Sequence, residues 1–291
     1  MSTEARRAPV PPRPTTPPHP AAPAYDPAPV YDPAPPSATR ARPRRTVAAA
    51  VCCVLGLGLI AGAAAGSRLA EGPDDDPAAR SAYTVGREAW HSIPVNTLFP
   101  RTLKGDGAGP GGADRIWTRL AVAPDGGCAD ALDPLLARTL RTVGCAHVLR
   151  ATYTDATASS VTTVGLAFTE ADADAMRALG ARFADQRLDR RTDLLPRTYP
   201  VKDSPAASFG ARQRASWSVH VLTGIPVVAF AVTGFADGRV STPPQPADRA
   251  MATGATTPAA QAGLGHEAKG LSEGIERALR THVAGLTEQP R

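Results

Sequence analysis

Lysine and aromatic residues are scarce in this chain of 291 residues. Three lysines stand beside 29 arginines, and Phe, Trp and Tyr together make up 5% of the sequence. Abundant Arg, Ala, Gly and Pro indicate a GC-rich coding bias, so the arginine count alone carries no functional argument. Residues 1–45 hold seven Arg and three acidic residues, whereas residues 67–291 hold 25 basic and 24 acidic residues. This near balance argues against a nucleic-acid-binding face on the C-terminal part.

The familiar motifs of nucleotide-binding and hydrolytic sites are missing as well. The glycine-rich run from Gly105 to Asp114 lacks the Gly-Lys-Ser/Thr ending of a phosphate-binding loop, and no GxSxG or SxxK motif occurs. His266 and Glu267 begin like a zinc-protease helix, but position 270 is Gly, so the second histidine is absent. We therefore predict no catalytic residue, no metal site and no cofactor.

One uncharged segment, Thr46 to Gly66, is long enough to cross a membrane. Its 21 residues would form a helix of about 32 Å at about 1.5 Å per residue, against a bilayer core of about 30 Å. Arg40, Arg42, Arg44 and Arg45 precede it, and basic residues beside a span favour the cytoplasmic side. We predict a single-pass protein of the cell membrane, with residues 1–45 inside and residues 67–291 outside.

Three other interpretations of this segment stay open. A cleaved secretory signal would be cut at the small residues that end the apolar segment, although the charged leader before that segment would then be unusually long. A twin-arginine signal would use Arg44 and Arg45. A lipoprotein would use Cys52 or Cys53, which lie near the start of the apolar run instead of at its end. All of these place the same domain outside the cytoplasm.

Gly58, Gly62 and Gly66 recur every fourth residue and would line one face of the span. Small residues at this spacing let a second helix approach closely, so the protein would dimerise through its transmembrane helix. The alternative is that these glycines reflect the coding bias alone.

Residues 1–45 contain 14 of the 30 prolines and almost no large aliphatic residues. Such a segment cannot bury enough surface to offset its ordering entropy, which predicts a disordered cytoplasmic tail. A Tyr-Asp-Pro-Ala-Pro repeat begins at Tyr25 and again at Tyr31. It is either a bivalent docking ligand for a partner or a low-complexity spacer.

Beyond the span, residues 67–82 indicate a polar tether and residues 83–240 a single α+β domain. Its element order is strand, helix, two strands, helix and two strands, which is typical of a mainly antiparallel sheet with helices on one face, in a ferredoxin-like or split βαβ arrangement. Residues 241–291 indicate a linker and an amphipathic helix, which packs on this domain or on a partner. The predicted strands are 115–123, 147–154, 161–168, 216–222 and 227–233, and the predicted helices begin at Pro134 and Thr169.

Cys128 and Cys145 are the two cysteines outside the span. An even number of cysteines in an extracytoplasmic domain predicts a disulfide. The bond is geometrically feasible if residues 128–133 run back beside the helix that begins at Pro134. A redox switch is the alternative, although neither thiol lies in a CxxC motif.

Polar residues cluster in the segment from Arg150 to Asp155. On a strand, Arg150 would share a face with Thr152 and Thr154, with Tyr153 on the other face. Together with Arg119 on a neighbouring strand, this segment would form a shallow face that binds an anion or another ligand. The competing interpretation is a solvated sheet face, with Asp155 simply starting a turn.

The Arg150–Asp155 hairpin, the cysteine pair, the proline-rich tail, the basic cluster and the single span together resemble uncharacterised actinobacterial single-pass membrane proteins. A looser similarity exists to the disulfide-containing α+β sensor domains of actinobacterial receptor kinases. Such proteins carry no established activity to transfer. The predicted topology and the missing catalytic motifs instead indicate a non-enzymatic envelope protein whose outer domain binds a protein partner or a cell-wall component. Two alternatives remain: an extracytoplasmic enzyme whose site combines His147, His220, Arg150 and Asp155, or a sensor that acts through the cytoplasmic tail.

Overall fold

The structure, a computed structural model, describes residues 77–288. The predicted tail (1–45), the predicted span (46–66) with Gly58, Gly62 and Gly66, and most of the predicted tether lie outside the described residues. Among residues 77–288, no helix combines the length and apolar character needed to cross a membrane.

The described part is an α+β fold built on one sheet of seven strands, six of them joined by antiparallel pairing. The strands are β1 (Thr102–Gly105), β2 (Arg115–Val122), β3 (Cys145–Asp155), β4 (Ser160–Thr169), β5 (Ser216–Leu222), β6 (Val227–Phe235) and β7 (Gln245–Pro246). The helices are α1 (Pro77–Ser92), α2 (Val95–Leu98), α3 (Cys128–Ala131), α4 (Pro134–Arg141), α5 (Ala173–Gln186), α6 (Ala247–Ala250), α7 (Pro258–Gln261) and α8 (Leu264–Glu288).

The order of elements along the chain agrees with the prediction, but the order of strands in the sheet does not. The sheet runs β1-β2-β3-β4-β6-β5-β7, and only β5 and β7 are parallel. A split βαβ arrangement would insert another strand between β2 and β3, whereas these two strands pair directly and antiparallel. The predicted ferredoxin-like order is therefore wrong, because β2, β3 and β4 are neighbours in sequence order and β4 then pairs with β6.

Helices cover both faces of the sheet, so the prediction of helices on one face is also wrong. The first core lies between one face and helices α4 and α5, and includes Leu136, Leu179 and Phe230. The second core lies between the other face and helices α1 and α8, and includes Ala229 and Leu271. Successive residues of β6 alternate between the two cores, as the two-residue period of a strand requires.

The local signals at the helix starts explain where α4 and α5 begin. Asp172 caps α5, since its side chain accepts a hydrogen bond from the Ala175 N–H at 2.8 Å. Thr169, the predicted start, is instead the last residue of β4. Pro134 occupies the first turn of α4 as expected, but the Asp133 carboxylate pairs with Arg214 at 2.6 Å instead of capping the helix.

The C-terminal helix α8 packs back on the domain. Its apolar stripe at Leu271, Ile275, Leu279 and Val283 is buried in the second core, while Leu286 remains exposed. At the opposite end of the described residues, α1 begins at Pro77, so the last six residues of the predicted tether are helical. Part of the predicted linker is ordered too, since Gln245 and Pro246 pair with β5 and form the edge of the sheet.

The predicted disulfide between Cys128 and Cys145 is confirmed. It joins the first residue of α3 to the first residue of β3, with 6.3 Å between the two Cα atoms. The chain reverses after α4 at Gly144, whose φ of 66° lies in the left-handed region that glycine adopts without strain. The bond therefore fixes α3 against the start of β3, next to the first core.

Candidate functional site

A well-formed cleft in the described part lies between the glycine-rich loop after β1 and one face of α8. Its volume is about 310 Å³, near the lower end of the range for small-molecule sites. Its lining consists of Asp106, Gly107, Ala108, Gly109, Gly111, Gly112, Met251, His266, Lys269, Gly270, Glu273 and Arg277. The loop forms one wall and helix side chains form the other.

The floor of the cleft depends on glycines that let Trp117 pack closely. A Cβ at Gly270 of α8 would lie 2.9 Å from the Ala108 Cβ and 3.0 Å from the Trp117 ring. A Cβ at Gly105 would lie 2.5 Å from the same ring. Both positions therefore require glycine, and the indole of Trp117 fills the space beneath the cleft.

Beneath this floor, a buried carboxylate connects β2 to α8. Glu267 is 3% exposed, and its Oε2 accepts a hydrogen bond from the Trp117 indole N–H at 2.5 Å. Its other oxygen, Oε1, lies 3.2 Å from Arg115 Nε in an ion pair, although that N–H makes no aligned hydrogen bond. Burial raises the pKa of Glu267, while the Trp117 hydrogen bond and the Arg115 charge partly offset this effect.

Backbone hydrogen bonds hold the loop in shape. The Gly107 N–H donates to the Asp114 carboxylate at 2.8 Å, and the Gly109 N–H donates to the Ala113 carbonyl at 2.7 Å. On the helix side, His266 Nδ1 lies 3.2 Å from the Ala108 carbonyl oxygen. These contacts make the loop a defined wall whose amides are largely used internally.

The charged side chains of the cleft alternate in sign. Lys269 Nζ lies 2.5 Å from Glu273 Oε1, and this pair remains partly exposed at 43% and 36% of its side-chain surface. Arg277 on the helix and Asp106 on the loop face the same space. Neither side chain makes a hydrogen bond or ion pair with another residue of the described part.

A smaller cleft of about 80 Å³ lies near β5, and Lys269 lines it too. His220 in its wall lies 3.4 Å from Glu276, which also pairs with Arg280 at 2.6 Å. Burial acts to raise the pKa of Glu276, but the contacts with His220 and Arg280 outweigh burial and lower it. This pair ties α8 to the sheet.

The predicted ligand face formed by Arg119, Arg150, Tyr153 and Asp155 does not assemble. Arg119 pairs across the sheet with Tyr153, on the side of the second core. Arg150 lies three residues before Tyr153 in β3 and therefore points to the opposite side. The two arginines are on different faces, so they cannot bind one anion together.

Each of these arginines has its own structural partners. Arg119 donates hydrogen bonds to the Phe99 carbonyl and, at 2.8 Å, to the Asn96 side chain. Arg150 lies 5.8 Å from the centre of the Tyr199 ring, in a cation–π contact. Burial lowers the pKa of Arg150, and the nearby charge of Arg197 acts in the same direction.

Tyr153 and Asp155 are structural as well. The Tyr153 hydroxyl donates to the Pro100 carbonyl at 2.8 Å inside the second core, where burial raises its pKa. Asp155 begins the turn between β3 and β4, and its carboxylate accepts the Ser160 N–H at 2.6 Å and the Thr157 N–H at 3.1 Å. The competing interpretation is therefore right about the turn at Asp155 but wrong about a solvated sheet face, because Thr152 and Thr154 are buried.

The residues proposed for a dispersed enzyme site also remain apart. His147 stacks on Trp90 with 3.6 Å between ring centres, and its Nδ1 lies 3.3 Å from Asp125. His220 is on β5, which β4 and β6 separate from β3, and it contacts α8. Arg150 lies against the Tyr199 ring, and Asp155 is held in the turn between β3 and β4. Within residues 77–288, no group of three or more His, Cys, Asp or Glu side chains is arranged to hold a metal ion.

The sequence prediction missed the cleft, although one signal for it was present. Positions 266, 269, 273 and 277 are polar and recur every three or four residues, opposite the apolar stripe of the same helix. Nothing local indicates that this polar stripe faces a glycine-rich loop about 160 residues earlier in the chain. That relationship requires the tertiary structure.

The chain matches no protein-family model, no curated protein and no solved structure. No relative therefore supplies a function for the cleft. Its role has to be argued from its shape, its charges and the residues that support it.

Proposed function

We propose that this protein is an envelope protein anchored by residues 46–66, and that its outer domain binds a small polar ligand in the cleft between the loop 105–112 and α8. The observation that carries the proposal is the cleft itself. It has a supported floor, a rigid glycine-rich wall and charged side chains that are open to solvent. Clefts of this kind, with a few convergent polar groups, are the usual sites for small ligands.

The proposed topology rests on two independent arguments. An uncharged run of 21 residues preceded by four arginines favours insertion with the N-terminus in the cytoplasm. The Cys128–Cys145 disulfide supports an oxidising compartment for the domain, because such bonds rarely persist in a reducing cytosol. The resemblance to actinobacterial single-pass membrane proteins has the same implication.

Binding is the activity proposed, and fluorine NMR tests it directly. The full chain, purified in detergent and labelled with 5-fluorotryptophan, contains three tryptophans, and Trp117 lies directly beneath the cleft. The probes are alanylalanine, N-acetylglucosamine, inorganic phosphate and glycerol 3-phosphate, each followed by mass spectrometry for conversion. We expect at least one probe to shift the Trp117 resonance saturably, to leave the Trp90 resonance in place and to be recovered unchanged.

Two results would contradict this proposal. Conversion of a probe by the wild-type protein would mean that the cleft is catalytic. The absence of any saturable Trp117 shift with all four probes would mean that the cleft is not a site for small polar molecules. The topology has its own test: protease added to spheroplasts should digest a C-terminal epitope tag without lysis, and a tag that is digested only after lysis would reverse the orientation.

A further inference from the structure

The charges that line the cleft indicate the class of ligand. Lys269, Glu273 and Arg277 are four residues apart on α8, so they form one stripe with a rise of about 6 Å per step. The Lys269–Glu273 pair uses one ammonium donor and one carboxylate oxygen, which leaves further donors and acceptors directed at the open space. Asp106 adds a second carboxylate from the opposite wall.

A ligand of a single charge would satisfy only half of these groups. A phosphate or another simple anion would pair with Lys269 and Arg277 but would lie against Glu273 and Asp106. A simple cation would meet the reverse problem. Lys269 and Glu273 already neutralise each other, so a ligand that carries both charges complements Arg277 and Asp106 at once, and this complementarity favours it over either ion.

The loop does not act as a phosphate cradle, even though it is rich in glycine. Phosphate-binding loops direct several free backbone N–H groups at the ligand. Here the N–H groups of Gly107, Ala108, Gly109 and Gly112 all donate to acceptors within the loop or its flanks. The loop supplies shape and the Asp106 carboxylate, and these four amides are already engaged.

The remaining lining limits the size and character of the ligand. Ala108 and Met251 are its apolar side chains, and no Phe, Trp or Tyr is among the residues that line the cleft. A sugar ring would therefore find no phenyl, phenol or indole ring among them to stack on, whereas a short aliphatic group can pack against Met251. The volume of about 310 Å³ suits a molecule the size of an amino acid or a short peptide.

We propose that the cleft binds a zwitterionic amino acid or short peptide, with its ammonium group at Asp106 on the loop and its carboxylate at Arg277 on α8, both of which lie outside the Lys269–Glu273 ion pair. This inference rests on the proposed binding function and names its ligand class. It treats the alternating charges as a recognition pattern for the two termini of one small molecule.

Three matched probes test the need for both charges. Alanylalanine carries both, N-acetyl-alanylalanine lacks the ammonium group, and alanylalanine amide lacks the carboxylate. The affinity of each is measured at pH 7 with the full chain in detergent, from the shift of the Trp117 fluorine resonance. We expect each blocked probe to bind at least tenfold more weakly than alanylalanine.

Two substitutions locate the carboxylate. Arg277→Gln should weaken alanylalanine and the N-acetyl form at least fivefold, with little effect on the amide, because only the first two present a carboxylate. Arg280→Gln is the matched control: Arg280 lies on the same helix, pairs with Glu276 and does not line the cleft. The Arg280→Gln variant should bind alanylalanine with an affinity within twofold of that of the wild type.

The results separate the ligand class from the binding function. If phosphate or N-acetylglucosamine shifts Trp117 while alanylalanine does not, the zwitterion proposal is overturned and the binding proposal stands. Equal affinity for all three alanine probes would also overturn the zwitterion proposal. Equal losses for Arg277→Gln and Arg280→Gln would overturn the placement of the carboxylate.

Discussion

The Trp117 indole N–H donates to the Glu267 carboxylate across 150 residues of sequence. This hydrogen bond joins β2 in the middle of the chain to the C-terminal helix α8. Because Trp117 also forms the floor beneath the cleft, the position of the helix and the shape of the cleft depend on the same contact. The buried Glu267 is therefore the link between the stability of the domain and its site.

The stability effect of Glu267 should depend on pH in a defined direction. Burial raises its pKa in the folded state above the unfolded value of about 4.3. Its contribution to the free energy of unfolding is therefore full below about pH 4.3 and is lost as the pH rises through the folded pKa. Glu267→Gln cannot titrate, so its stability relative to the wild type should increase from pH 4 to pH 7, as measured by urea unfolding at each pH.

Glu288→Gln is the control for this series, since Glu288 is exposed at the end of the same helix. The free energy of unfolding of Glu288→Gln should differ from that of the wild type by a nearly constant amount over the same pH range. A pH-independent difference for Glu267→Gln would contradict the burial of an ionisable carboxylate beneath the cleft.

Two glycines of α8 should respond in opposite ways to alanine. Gly270→Ala places a methyl group against Ala108 and the Trp117 ring, which should lower the free energy of unfolding by about 1–3 kcal/mol. Gly285→Ala meets no atom within 4 Å and should raise it by up to about 1 kcal/mol through helix propensity. Equal effects in urea unfolding would mean that α8 does not pack on Trp117 as described.

Asp155 should stabilise the β3–β4 turn most strongly at neutral pH. Burial acts to raise its pKa, but hydrogen bonds from Thr157 and Ser160 outweigh burial and hold the pKa below its ordinary value. The contribution of Asp155 to the free energy of unfolding is thus present above its unfolded pKa of about 3.9 and is lost as the pH falls through its folded pKa. Asp155→Asn should cost about 2 kcal/mol at pH 7, and the cost should shrink below pH 4; a constant cost would contradict the turn geometry.

The disulfide should act as a structural constraint on the first core. The sequence separation of its cysteines is 17, and in the chain-entropy model a loop of this length stabilises by about 3 kcal/mol. The double substitution of Cys128 and Cys145 by Ala should lower the free energy of unfolding by about that amount while leaving the affinity of the cleft within twofold. A large loss of affinity at full stability would instead support a redox switch.

The local elements of the fold were largely predictable from the sequence. Two strand-like runs, 147–154 and 161–168, joined by a short polar turn predicted the β3–β4 hairpin, and the even cysteine count predicted the disulfide. The sheet order was not predictable from local pattern, because pairing between distant strands depends on how their faces pack. Strands β4 and β6 are buried along their whole length, and this near-continuous apolar character was the signal for helices on both faces.

The site was less predictable than the fold. Arg119 and Arg150 were grouped because both lie on neighbouring strands, yet one residue of register decides which face a side chain occupies. The C-terminal segment was predicted to be a linker, from its composition, and an amphipathic helix, from its apolar stripe. In the structure, a Cβ at Gly265 would lie 2.7 Å from the Ala247 carbonyl oxygen, so the helix packs closely on the segment before it.

Hydrogen–deuterium exchange of the full chain, with and without saturating alanylalanine, tests the central claim that the cleft is the binding site. We predict slower exchange in two segments that are distant in sequence, the loop at residues 105–115 and the first half of α8 at residues 264–280. Exchange in α4 and α5, on the other face of the sheet, should not change. Protection confined to that other face, or no protection in the loop and α8, would contradict the account.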